Sequence, residues 1–241
     1  DSKENPPLNF DLTTLQREAN STWSWTSRRT LSVAQELYDT HKLTTYPRTD
    51  SRHLPEDMME SISKTIKQLG AQEFLSAHSE RLTKNGLKNV SRNFNNAKVS
   101  DHYAIIPTGK LPQGNLNNDA RRLYELICRQ FLASFHSEAI WDVQARTTTK
   151  SENDFVKEVR ILKTPGWREV KPKSNSIPEK WNKLPSNPAE TDIASHKFKE
   201  EFTKPTNRLK EAKLLSLMEN AGRSIDDDEM AEAMKGKGLG T

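Results

Sequence analysis

The hydrophobic period of the chain changes just after His136, and that change restricts the fold more than any other feature. Before it, Leu123, Tyr124, Ile127, Cys128, Phe131, Leu132 and Phe135 recur at helical spacing behind an Asp119 cap. After it, "AIWDVQARTTTK" and "FVKEVRILKTPGW" alternate in polarity and are rich in Val, Ile, Trp and Thr. They read as an antiparallel hairpin turning at "SENDF". A run of helices followed by antiparallel strands is the α+β pattern, not that of a parallel sheet. At 241 residues the chain has room for one large domain or two small ones.

The helical part divides at its caps. "DLTTLQREAN", residues 11–20, is a short helix with Asp11 as N-cap. Thr26 or Ser27 starts a second, with Leu31, Ala34, Leu37 and Tyr38 on its apolar side. Pro55 lies near the first turn of a third, carrying Met58, Met59, Ile62, Ile66 and Leu69 and ending at Gly70. Residues 79–117 are rich in Asn, Lys, Ser and Gly and are expected to be mostly loop, interrupted by the apolar "YAIIP". Beyond the hairpin, residues 171–191 hold four prolines and read as a loop. "ASHKFKEEFT" reads as a further strand, and helices are expected near 208–220 and 226–235, the second capped by Asp226. The expected units are an extended segment 1–10, a helical unit 11–136, a β unit 137–204 and a helical tail 205–241.

A net charge of +4 and a pI near 9.0 permit a nucleic-acid partner without requiring one. Cys128 is the only cysteine, which rules out a disulfide or a cysteine-based zinc site within the chain and fits a reducing cytosol. No apolar run approaches the ~18 residues of a membrane span, and "DSKENPPLNF" lacks the form of a signal peptide. There is no initiator methionine and the sequence stops at "GKGLGT". A piece of a longer protein is therefore expected.

The chemistry concentrates in "HKLTTYPRTDSRHLP", residues 41–55. Pro47 drives Tyr46 out of the α region, and in extended chain Tyr46 and Arg48 would share a face. A phenol titrates near ~10 and is a weak nucleophile at neutral pH. A guanidinium beside it favours the phenolate, can grip a phosphate with two hydrogen bonds and stabilises charge developing on its oxygens. The pair is a sensible minimum for attack on a phosphodiester, although a tyrosine at a strand end is more often structural.

The segment "KLTTYPRTDSRHLP" resembles the active-site run of type IA DNA topoisomerases, and most of all their bacterial topoisomerase III branch. The likeness continues through "PPLNFDLTTLQREA", "LSVAQELYD", "DHYAIIPT" (Asp101 to Thr108), "FTKPTNRLKEAKLLSLME" and "MKGKGLGT", in order along nearly the whole chain. Tyr103 departs from the residue usual at its place in the family, often His or Glu.

The resemblance implies roles. Tyr46 would be the nucleophile that forms a 5′-phosphotyrosine bond with cleaved single-stranded DNA, and Arg48 would hold the scissile phosphate. The bond energy kept in that linkage would make resealing independent of ATP. His102, Thr49, Ser51, Arg52, Lys204 and Arg208 would lie at the DNA; Thr49, Asp50 and Ser51 are expected to shape the loop, and Asp50 and Ser51 can equally be turn or cap residues before the Pro55 helix. The helical unit would be a winged-helix or catabolite-activator-like tyrosine domain. The β unit, with residues 1–10, would be part of an arch around the DNA-passage hole, and the tail part of a helical base domain. In this family Mg²⁺ sits in a separate N-terminal TOPRIM domain, so that domain is the expected partner and no metal is expected in this chain. The run "DDDE", Asp226 to Glu229, reads instead as a solvated helix start. Without the metal domain the chain is expected not to relax DNA. A cytoplasmic, nucleoid-associated protein is implied.

Three other classes compete. A non-catalytic single-strand-binding module would use Trp23 and Trp25 for stacking and Lys84, Lys88 and Arg92 for phosphates, although both tryptophans read better as hydrophobic anchors. A tyrosine recombinase would carry its tyrosine late in the chain and several separated arginines. A purely structural hinge would be indifferent to Tyr46→Phe.

Overall fold

The computed structural model describes residues 1–172, 189–190, 192, 195 and 197–221. Asp11 sets the first helix, α1 (Leu12–Trp23): its carboxylate accepts from the Thr14 amide at 2.7 Å, and the Thr14 hydroxyl accepts from the Asp11 amide at 3.2 Å. Thr26 caps α2 (Ser27–Asp39) by accepting from the Arg29 amide. Helix α2 turns Thr30, Val33, Ala34 and Leu37 inward, which leaves Leu31 at the margin of the buried stripe.

A single 3-10 turn, Glu56–Met58, leads into α3 (Met59–Leu69), which buries Ile62, Ile66 and Leu69 but leaves Met59 exposed. The expected loop over 79–117 is corrected at its start. Helix α4 (Glu73–Asn85) runs through it, followed by α5 (Val90–Asn93) and a 3-10 turn, Asn96–Lys98. Helix α4 buries only Leu75, Ser79 and Leu82, and a stripe of two leucines and a serine is too sparse in apolar residues to stand out. The Ser79 hydroxyl makes up for its polarity by donating to the Ile66 carbonyl at 2.5 Å. Helix α6 (Asn118–Ser134) buries the whole expected stripe. Its cap, however, is Asn117, which accepts from the Ala120 amide at 2.8 Å. Asp119 instead stands in the first turn, where it suits the helix dipole and pairs with Arg29 at 2.6 Å.

Strands β1 (Ser2–Glu4), β2 (Ala139–Lys150) and β3 (Asn153–Thr164) form one antiparallel sheet in the order β1-β2-β3. Lys150 pairs with Asn153, so the hairpin turns on Ser151 and Glu152 alone, more tightly than the expected five residues. Ser151 takes the left-handed conformation, φ 54°, that such a turn demands. The chain leaves β3 before Pro165, and Gly166–Glu169 is a 3-10 turn rather than strand. That turn drives Trp167 and Val170 into the helical core. Arg168 closes on the Glu4 carboxylate through Nε at 2.7 Å and Nη2 at 2.9 Å, fastening β1 to the turn.

The strand expected over 194–203 is also corrected: residues 195 and 197–203 have no regular secondary structure, and Phe198 and Phe202 are exposed. No described strand pairs with them. Helix α7 (Glu211–Glu219) lies against α1, where Asn20 accepts from the Ala212 amide, Glu211 accepts from the Ser27 amide, and Arg17 pairs with Glu219 at 2.9 Å. Leu215 is its buried residue, and Leu209 is exposed ahead of it. Most of the loop expected over 171–191, the helix over 226–235 with its acidic run, and "MKGKGLGT" lie outside the described residues. No described helix is long and apolar enough to cross a membrane.

One hydrophobic core joins α1, α2, α3, α4 and α6 with Phe10, Leu43, Leu54 and the 104–106 segment. Three isolated bridges, Phe10–Ile105, Thr44–Pro107 and Leu54–Phe94, run along its edge and hold the segment that carries Tyr46.

Candidate active site around Tyr46

Residues 43–46 are extended because their hydrogen bonds go to the 104–108 segment. The Thr45 amide donates to the Ile106 carbonyl at 2.9 Å. The Thr45 hydroxyl donates to the Ala104 carbonyl and accepts from the Ile106 amide, each at 2.9 Å. The Thr108 amide reaches the Leu43 carbonyl at 2.9 Å, and its hydroxyl reaches the Lys42 carbonyl at 2.8 Å. Two stretches some sixty residues apart thus form one short antiparallel ribbon, anchored by buried Leu43, Ile105 and Ile106.

Beyond Pro47 the stitching passes to hydroxyl side chains. Thr49 donates to the His102 carbonyl at 2.9 Å and Ser51 to the Lys98 carbonyl at 2.7 Å. Both are buried. They hold the 98–104 loop in place, which fits the loop-shaping reading of both residues. Arg52 also turns inward, donating from Nε to the Asn9 carbonyl at 3.0 Å and bracing the N-terminal segment; burial lowers its pKa. The loop-shaping reading fits Asp50 too, which accepts from the Ser100 hydroxyl at 2.6 Å.

What this scaffold presents outward is Tyr46, Arg48 and His102. Tyr46 is half-buried; Arg48 and His102 are exposed. The His102 ring lies 4.5 Å from the Tyr46 ring, centroid to centroid. On the other side Tyr38 meets Tyr46 edge-on at 5.4 Å. With the Gln35 amide oriented so that its oxygen faces Arg48, that oxygen accepts from the guanidinium through Nε at 3.2 Å and Nη2 at 3.3 Å. Gln35 and Tyr38 are three residues apart on α2 and so share one face of it. That face is the common support of Tyr46 and Arg48. Tyr38, Thr44, Thr45, Tyr46, His102, Tyr103 and Thr108 line a cleft of about 430 Å³.

Gln35 was invisible in the sequence, and Tyr38 read only as part of an apolar stripe. Their spacing ahead of Tyr46 was the available signal. Lys204 and Arg208 are exposed on an irregular segment, and neither lines the cleft. Trp25 is 3% exposed and packs on Trp23 at 4.8 Å with the Arg29 guanidinium over it. The two tryptophans are hydrophobic anchors, not a stacking platform. Arg92 is engaged with the Pro6 carbonyl at 2.9 Å. Among the described residues no three His, Cys, Asp or Glu side chains converge as a metal-ion site would need.

Residues 1–241 match the family described as DNA topoisomerase. The DNA topoisomerase 3 of Bacillus licheniformis is 35% identical over 227 residues, 91% of this chain and 31% of that protein. That of Haemophilus influenzae is 32% identical over 251 residues, 99% of this chain and 37% of that protein. The chain therefore spans about a third of the length of these relatives. Among solved structures, full-length topoisomerase I from Thermotoga maritima superposes with a TM-score of 0.59 at 24% identity, covering 97% of this chain and 38% of that one. This last likeness is one of fold: helices with an antiparallel three-stranded sheet.

Proposed function

The chain belongs to the type IA DNA topoisomerases, on their topoisomerase III-like side, and from that premise we propose that it carries the nucleophilic half of a strand-passing enzyme. The Tyr46 phenolic oxygen attacks a phosphorus of single-stranded DNA. A bond forms from that oxygen to the 5′-phosphate, the bond to the 3′-oxygen breaks, and the phenolic proton ends on the freed 3′-hydroxyl. The reverse transfer reseals the strand without ATP, because the phosphodiester is exchanged rather than hydrolysed.

The observation that carries this reading is the arrangement of three outward-facing groups on an otherwise fastened scaffold. The Tyr46 ring meets those of His102 and Tyr38, and Arg48, two residues on in sequence, is exposed with its guanidinium toward Gln35 on the same face of α2 as Tyr38. Arg48 supplies a fixed positive charge and two parallel donors for a phosphate. His102 supplies a further contact to the backbone. Preorganised donors of this sort are worth most where charge develops in the transition state. Lys204 and Arg208 contact the strand farther from the break.

In the same reading, residues 11–136 form the winged-helix or catabolite-activator-like tyrosine domain. Residues 137–204, with 1–10, belong to an arch, and 205–241 to a helical base. Mg²⁺ is held by a TOPRIM domain of a relative-length protein, working in the cytoplasm on nucleoid DNA, and this chain alone does not relax DNA. The test is Mg²⁺-dependent cleavage of 3′-labelled single-stranded DNA by a relative-length protein containing this chain, beside its Tyr46→Phe variant. A protein-linked labelled band that vanishes in the variant supports the reading. DNA retention without any linked band would favour the single-strand-binding module instead.

A further inference from the structure

Three of the four tyrosines of the chain, Tyr38, Tyr46 and Tyr103, gather around one cleft. The fourth, Tyr124, is buried in the core, and its hydroxyl is engaged by Gln72 at 3.1 Å and by the Lys110 carbonyl at 3.4 Å. The three cleft phenols have no such bond among the described residues. The Lys42 ammonium sits 5.5 Å from the centre of the Tyr38 ring, which lines the cleft. At about 430 Å³ the space lies within the ~300–1,000 Å³ range of small-molecule sites.

We propose that this cleft receives the nucleotide that Tyr46 holds after cleavage, with its base against the Tyr38 and Tyr103 rings and its sugar-phosphate toward Lys42 and Arg48. The proposal rests on the reading of Tyr46 as nucleophile and adds a base subsite to it. Tyr46 is itself a wall of the cleft, so a nucleotide joined to its oxygen through the 5′-phosphate enters within one nucleotide length. Aromatic faces accept any base, because stacking is insensitive to the pattern of base edges. The hydroxyls of Tyr38 and Tyr103 add donors and acceptors at the rim of the base. A filled subsite keeps the cleaved 5′ end in register with the waiting 3′-hydroxyl, as resealing requires.

The test separates binding from cleavage. A 3′-fluorescent, 5′-phosphorylated thymidine trinucleotide is titrated into the 241-residue chain without Mg²⁺ and followed by anisotropy. It is compared with the same probe made abasic at its 5′ nucleotide and with one abasic at its 3′ nucleotide. The proposal expects about tenfold weaker binding for the 5′-abasic probe and little change for the 3′-abasic one. Tyr38→Ala should erase the difference between the probes, whereas Tyr38→Phe, which keeps the ring, should retain it at an unchanged melting temperature. Equal affinity for all three probes, or a preference that survives Tyr38→Ala and Tyr103→Ala, would overturn the subsite. Tyr46-linked DNA measured separately keeps the two readings apart: an adduct with no base preference removes only the subsite, whereas base preference with no adduct removes only the nucleophile.

Discussion

At the residue scale the site rests on short side chains. Thr49 and Ser51 point inward and tie the Tyr46 segment to the loop bearing His102. Thr49→Val leaves the His102 carbonyl short of its donor at similar side-chain volume. It should cost about 1–2 kcal/mol in denaturant unfolding and lower cleavage through loss of position. Gln35→Leu removes the acceptor that orients Arg48. It should lower the cleavage rate about tenfold with little change in melting temperature, and Gln35→Glu, which keeps an acceptor, should recover most of the rate. The Tyr-Pro-Arg step stood out in the sequence because it is a local pattern, and the loop-shaping reading of Thr49 and Ser51 was available there too. Their partners were not, since a carbonyl some fifty residues away leaves no local signal.

At the element scale, caps and long stripes were legible. Asp11, Thr26 and the α6 stripe stand where the sequence puts them. Helix α4 was hidden because its buried face holds two leucines and a serine, and the strand expected near residues 194–203 failed because alternation needs a partner edge to become a strand. The end of α6 carries a pH dependence. His136 is 3% exposed, neither ring nitrogen has a partner among the described residues, and its ring lies 6.0 Å from that of His78. Burial, then the neighbouring His78 and Arg81, pushes its pKa down to about 4 against opposing pulls from Glu169 and from the Leu132 backbone, which lies near the ring without closing a well-formed hydrogen bond. His78 is lowered in the same direction by burial, Arg129 and Arg81. The unfolded chain, with ordinary histidines near ~6.5, therefore takes up protons first as pH falls. Stability should be full above pH ~6.5 and decline toward pH ~4, by about 3 kcal/mol for His136. Urea unfolding across that range checks it, and His136→Leu should flatten the decline.

At the scale of the whole molecule, the sheet and the helical body are coupled through the turn after β3. Gly166 has φ +52°, and a Cβ there would stand 2.2 Å from the Glu138 carbonyl oxygen. Gly166→Ala should destabilise the chain by at least about 2 kcal/mol and loosen Trp167 from the core, seen as a red shift of tryptophan emission. The change of hydrophobic period near His136 announced two kinds of structure. It did not announce that Trp167 and Val170 return to the helical core, because that docking depends on a glycine conformation and on the Glu4–Arg168 pair. The order of the quoted motifs made the family legible along nearly the full length, while the ribbon joining residues 43–46 to 104–108 emerges only in three dimensions. The central claim, that Tyr46 takes the DNA, is tested most directly by mass. A relative-length protein containing this chain is trapped on single-stranded DNA with Mg²⁺, then digested with nuclease and trypsin. The account predicts that the peptide Leu43–Arg48 gains the mass of a 5′-linked nucleotide and that the fragment ions place it on Tyr46. An adduct on any other residue, or trapped DNA with this peptide unmodified, would contradict it.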